Sequence, residues 1–372
     1  MPRVGFVLPL GAALLLQLAA TAFPAQVEAQ FARGLYPRVA TGLAALTAPL
    51  PFSLGEASIA LVATYVLGDF AVLLRRLWRR SGRRRVVLAA AARRLVLLGG
   101  IGYAAFLCAW GLNYRRLPFA ETSGLALRPA AVAELAGLTR ELVGDANRWR
   151  EGRSENAAGV FRLAAGRDAA FAAVPAGSRA LAASFPALAG PTPRPKAAFA
   201  SALLSRLGVA GIYLPFTAEP LVNATLPEAE LPFSASHEIA HAQGFAREDE
   251  ANFLGYLACR LHPDLEFRYS GALLAGFYAL AALDSVDRPA AREIERLRSE
   301  PVRRDIAAIV AWSARYEGPL RQAGERVNDA YLRSQGAREG VRSYGRMVDL
   351  LLAERRARTN AVARGQLGVD GG

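Results

Sequence analysis

Residues 234–252 read SASHEIAHAQGFAREDEAN, and this stretch decides how the rest of the chain is understood. The sequence has only three histidines in 372 residues, yet His237 and His241 stand four apart around Glu238. Ser234 and Ser236 in front and Gly244 behind bracket a short helix. On it the two histidines are one turn apart and share a face. Two imidazole nitrogens so placed can reach one ion at about 2.0–2.1 Å. Glu238 is rotated away from that contact, beside the ion, where it can take a proton from water.

A catalytic zinc site takes three protein ligands and leaves a position open. The third should come from a second helix downstream. His262 is one candidate, but its place in His-Pro-Asp at a helix end suits a loop contact or a C-terminal positive charge better. The run Glu248-Asp249-Glu250 follows the histidine helix directly. Glu248 and Glu250 are about 200° apart around a helix, so only one can face the ion. Glu248 is the choice, because Asn252 lies one turn beyond it on the same face and can hydrogen-bond a ligand histidine. Glu250 is the alternative.

Working outward, the first third of the chain is different in kind. Segments 4–23, 57–74 and 95–112 are apolar, with Asp69 the single charge among them. Each has about the length needed to cross a hydrocarbon core of roughly 30 Å. The first could also be a cleaved signal peptide, since Arg3 precedes it and small residues follow. The connection 75–94 carries nine arginines and no acid, whereas 24–56 has only Arg33 and Arg38. The positive-inside rule places 75–94 in the cytoplasm and everything after Asn113 outside it. Asp69 is expected to pair with Arg75 or Arg76 near the cytoplasmic edge.

The net charge of +13 follows the same division. Residues 1–112 hold twelve Arg against Glu28, Glu56 and Asp69, a net +9, leaving +4 for the remaining 260 positions. The partner implied is a lipid bilayer, not nucleic acid. Cys108 and Cys259 are two small apolar residues, with no disulfide framework to build.

From 113 onward the periodicity predicts helices over 129–149, 166–185, 234 onward, 248–262, 270–283, 288–316 and 331–356. Residues 187–196 are a proline-rich break. Residues 209–224 are the best strand, interrupted by prolines as an edge strand is. The expected fold is mainly α: a membrane domain (1–112), a mostly helical α+β extracytoplasmic domain (113–358) with a short edge strand or small sheet, and a disordered tail (359–372).

Together these residues carry a resemblance. HEIAH followed by Glu-x-x-x-Asn looks like the gluzincin metallopeptidases. The resemblance implies a zincin-like domain, Zn2+ as cofactor, His237, His241 and Glu248 as ligands, Glu238 as catalytic base, and a peptide or protein substrate. Asn252 departs from the Asp of many members. The longer string 232–259, with FRYSG at 267–271 and the segment 331–352, resembles a family of bacterial multi-pass membrane proteins of unknown function. A zinc-holding sensor without turnover and a nonpeptidase zinc amide hydrolase are the competing expectations. Tyr269, Tyr331, Arg342 and Tyr344 are candidates for stabilising an oxyanion.

Overall fold

The computed structural model describes residues 5–79, 83–185, 188–334 and 346–364. They are mainly helical with one small sheet, and the chain divides into two compact units.

Unit 1 comprises Met1–Leu117 and Leu214–Ala218. Its helices are α1 (Leu8–Ala22), α2 (Pro24–Gln26), α3 (Tyr36–Thr47), α4 (Leu54–Arg79) and α5 (Arg84–Ala109). A π-helix, Val27–Leu35, joins α2 to α3. The helical stretch Gly5–Ala22, which contains α1, and the helices α4 and α5 are long and apolar enough to cross a membrane. Helices α4 and α5 overrun the expected spans, so most of the arginine-rich connection is helical. Arginine is a good helix former, and nothing obliges a helix to stop where lipid stops. The α1 and α5 backbones approach closely at Gly100, where a Cβ would stand 2.7 Å from the Leu10 nitrogen. Small residues allow such contacts between apolar helices.

Asp69 does not pair with Arg75 or Arg76. Its Oδ1 lies 2.5 Å from Arg94 Nη1 of α5, and Arg94 also donates to the Tyr65 hydroxyl. Residues six or seven apart along one helix are not side-chain neighbours, whereas a residue facing across the hairpin is. Glu28, on the π-helix, is buried between Arg116 at 2.9 Å and Arg33 at 2.8 Å. Burial works to raise its pKa, but the two guanidinium groups outweigh this and hold it below the usual carboxylate range.

Unit 2 comprises Pro118–Tyr213 and Glu219–Gly372. Its elements run α6 (Phe119–Ser123), α7 (Val132–Arg150), α8 (Gly166–Ala173), α9 (Pro175–Ser184), β1 (Lys196–Ala197), α10 (Ser201–Leu207), β2 (Gly211–Leu214), β3 (Glu219–Val222), α11 (Leu231–Ala242), α12 (Glu248–Arg260), α13 (Leu265–Val286), α14 (Arg288–Glu295), α15 (Glu300–Ala314), α16 (Pro319–Ser334) and α17 (Met347–Ala363). The helix α17 continues past the helix end expected at Arg356 and into the segment 359–372 expected to be disordered; residues 365–372 lie outside those described.

The core is built on α13. Its Tyr269, Ala272, Leu273, Ala275 and Ala279 are buried in one cluster with Leu138, Leu142, Ala146 and Trp149 of α7. By length and apolarity α13 is a fourth membrane-length helix, but half of its apolar window is covered within the fold. Below it sits a charged cluster. Asp305, almost wholly buried, accepts from Arg150 Nε (2.5 Å), Tyr269 Oη (2.5 Å) and Phe161 N (2.7 Å). Every lone pair facing inward is used, which is what makes a buried charge tolerable.

The sheet corrects the strand expectation. Residues 209–224 form two strands, and the order is β1-β3-β2, so β3 is central and fully buried. Pro220 is tolerated there because β1 pairs in parallel only with Leu221 and Val222, leaving Pro220 one neighbour to satisfy. The strand β1 arises at the end of the segment expected to be a loop.

Candidate metal centre

The helix α11 starts at Leu231, earlier than the serines suggested. Pro232 sits in its first turn, and Ser236 Oγ donates back to the Pro232 carbonyl at 2.8 Å. At the other end Gly244 adopts φ +86°, the left-handed conformation that ends helices, and the chain turns into α12. The two helices pack closely at Gly255, where a Cβ would lie 3.1 Å from the His237 nitrogen.

This packing brings His237, His241 and Glu248 together, with one donor atom from each within 4.8 Å of the others. His237 Nε2 lies 3.4 Å from Glu248 Oε2, and His241 Nε2 lies 3.6 Å from Glu248 Oε1. Four donors around zinc at about 2.0–2.1 Å would stand roughly 3.3–3.4 Å apart along a tetrahedron edge. The two separations, each to a different carboxylate oxygen, lie near that edge and exceed the 2.7–3.2 Å of a good hydrogen bond. The donor set, two neutral imidazoles and a carboxylate, is one that zinc takes. These residues therefore fit the ion that the resemblance implies.

The imidazole orientation suits the same purpose. His241 Nδ1 contacts the Phe245 carbonyl at 2.7 Å, which fixes the tautomer with its lone pair on Nε2. Burial disfavours protonation of His241, but the Glu248 carboxylate outweighs it and pushes its pKa up to about 9. Burial likewise tends to raise the Glu248 pKa, and the two histidines hold it far below the usual range instead. A divalent cation would replace the proton that these three groups share.

Glu238 sits beside them. Its pKa is raised, chiefly by burial, and its Oε2 is buried without a hydrogen-bond partner. The carboxylate packs on the backbone of β2: a Cβ at Gly211 would fall 2.5 Å from Glu238 Oε1.

The other candidates separate clearly. Glu250 Oε1 accepts from Phe119 N at 2.7 Å and from Arg247 Nη1 at 3.1 Å, so it ties α12 to α6. The expected bond from Asn252 to a histidine does not form; His237 Nδ1 and Asn252 Nδ2 are both buried without partners, and the Asn252 side chain faces the Tyr278 hydroxyl. His262 Nδ1 accepts from Asp264 N, its Nε2 meets the Ala173 carbonyl at 3.0 Å, and its ring stacks on Phe267. It makes a loop contact. Tyr269 is committed to Asp305, and Arg342 and Tyr344 lie outside the described residues. Tyr331 lies on α16, and 37% of its surface is exposed. Cys259 is buried against Ser236, and burial pushes its thiol up to about 12.

Sequence reasoning missed Gly211 and Tyr278. A glycine in a strand carries no hint of what packs on it.

The fold and site thus describe a mainly helical protein with membrane-length apolar helices and a convergent His-His-Glu cluster. The profile of a family described as a protein of unknown function (DUF3810) matches residues 31–352, and the chain belongs to that family. No curated protein matches it, and no solved structure does.

Proposed function

We propose that the protein is a membrane-anchored zinc-dependent peptidase of the gluzincin type. One observation carries this reading: His237, His241 and Glu248 converge with one donor atom from each within 4.8 Å of the others, and Glu238, whose Oε2 is buried without a hydrogen-bond partner, stands alongside. The helix pair α11–α12 supports a zincin-like arrangement of unit 2.

His237, His241 and Glu248 would hold the ion, which when bound makes water a nucleophile near neutral pH and polarises a carbonyl. Glu238 receives a proton from the attacking water at its carboxylate and passes it to the leaving amine. The upward direction of its pKa shift, caused by burial, suits a carboxylate that must take up a proton. Gly211 leaves room for the carboxylate and fixes how far it can swing. The arginine asymmetry supports unit 2 being extracytoplasmic.

Metal analysis of the full-length protein purified in detergent tests the reading. We expect about one zinc per chain, lost in Glu248→Ala and kept in Glu250→Ala. Glu238→Gln should keep zinc and abolish peptide hydrolysis. Zinc retained with unaltered hydrolysis in that variant would leave only a binding role.

A further inference from the structure

The turn between β2 and β3, Leu214–Ala218, belongs to unit 1, although the strands on either side of it lie mostly in unit 2. It reads LPFTA, and no charge occurs from Val209 to Ala218. Within unit 1 the turn packs on the start of α4. A Cβ at Gly55 would stand 2.8 Å from Thr217 Oγ1 and closer still to Leu214 Cδ1, so the contact requires a glycine. Thr47 Oγ1, at the end of α3, donates to the Thr217 carbonyl at 3.1 Å. Gly55 stands two residues before the apolar run of α4, about 3 Å along the helix axis. A segment that touches Gly55 is therefore level with the edge of the hydrocarbon that α4 is long enough to cross.

Two features suit this turn to lipid. Its backbone carbonyls at Leu214 and Thr217 are committed within the protein. The first accepts from Thr217 N at 3.3 Å and from the Thr217 hydroxyl at 3.4 Å, and the second accepts from Thr47. Pro215 carries no N–H. Backbone at the rim of a bilayer must be satisfied internally, whereas a turn in water has no such need. The conformation is also fixed. Ala218 is buried and, among the described residues, is the one non-glycine with a positive φ, +51°. Such backbone persists only where the surrounding packing imposes it. This rigid, uncharged turn nevertheless leaves Phe216 55% exposed, and Leu46 and Phe52, close in sequence to Thr47 and Gly55, are exposed as well. Large apolar side chains held outward at that level mark an interaction surface.

We propose that the β2–β3 turn is an interfacial anchor that seats the Phe216 ring in the lipid surface at the start of α4. Its partner is a phospholipid bilayer, met at the boundary of headgroups and acyl chains by apolar contact alone. The anchor requires neither zinc nor hydrolysis. It rests only on the part of the reading above in which α4 crosses a membrane.

The test uses the full-length protein with Cys108 and Cys259 replaced by serine. Single cysteines from Phe216→Cys, Leu46→Cys, Val66→Cys and Glu151→Cys carry an environment-sensitive fluorophore. Each protein is placed in phosphatidylcholine nanodiscs with and without a nitroxide high on the acyl chain, and aqueous iodide is titrated in. Val66, exposed in the middle of α4, reports the span, and Glu151, exposed in unit 2, reports water. The probe at Phe216 should lose at least half its emission to the nitroxide lipid and be shielded from iodide at least threefold relative to Glu151. Iodide quenching equal to that at Glu151 places the turn in water and overturns the anchor. Protection from both quenchers shows that protein, this chain or a second copy, covers the ring, and overturns it too. Melting curves check each labelled protein; if Phe216→Cys does not fold, Leu46→Cys is read by the same criteria. A Val66 probe that also escapes the nitroxide lipid overturns the span itself, a failure distinct from one confined to the turn.

Discussion

At the scale of single residues, Gly211 and Glu230 lead to different consequences. Gly211→Ala places a methyl carbon 2.5 Å from Glu238 Oε1 and 2.8 Å from its Cγ, so the carboxylate must move. Hydrolysis should fall at least tenfold while zinc content, read by metal analysis, is unchanged. Equal loss of both would mean the glycine supports the fold and not the base. For Glu230, burial pushes the carboxyl up to about 7 from an ordinary 4.5, so the folded state binds more protons than the unfolded state between those values. Its contribution to stability is full below about 4.5, is lost as pH rises to about 7, and is flat above. The gain in melting temperature of Glu230→Gln over the wild type should therefore widen from pH 4.5 to 7.5; a pH-independent difference would show that this carboxyl is not desolvated.

At the scale of elements, the contacts between helices set the site. Gly255→Ala puts a Cβ 3.1–3.2 Å from the His237 backbone, forcing α11 and α12 apart by a few tenths of an ångström. We expect a cost of about 1–3 kcal/mol in urea unfolding, typical of overpacking, with zinc affinity weakened about tenfold in competition with a chelator. Asp305→Ala leaves Arg150 charged in the interior with only the exposed Glu155 for a partner, and should cost about 3–5 kcal/mol in the same measurement. Much of this level was legible beforehand. The i, i+4 histidines and Gly244 mark α11 and its end. Helical angle allowed only one of Glu248 and Glu250 to face the histidines; Asn252, which decided for Glu248, makes no bond to a histidine, so that choice rested on a contact the structure does not contain. What was not legible depended on partners distant in sequence. The two-residue β1 has no periodicity to detect and exists because β3 lies beside it. Nothing near Tyr269 signals that Asp305 takes its hydroxyl, and Asn252 turns to Tyr278 because α13 presents that residue.

For the whole molecule, the decisive prediction concerns sidedness. In a background with Cys108 and Cys259 replaced by serine, a cysteine at exposed Glu151 should react with a membrane-impermeant maleimide in intact cells. One at Arg79, at the end of α4, should react only after lysis. The reverse pattern would invert the topology. The helices long and apolar enough to cross a membrane were readable from apolarity, since their length and composition are displayed directly in the sequence.

The helix α13 has a consequence during biosynthesis. Insertion machinery responds to length and apolarity in the emerging chain, before α15 and α17 have been made to complete its surroundings. Twenty-two residues of this character invite the translocation channel to release them sideways into lipid. On the topology proposed above, export of unit 2 is then a race between stalling and collapse onto α7, and mutations that slow that docking would yield a product with α13 misinserted in lipid.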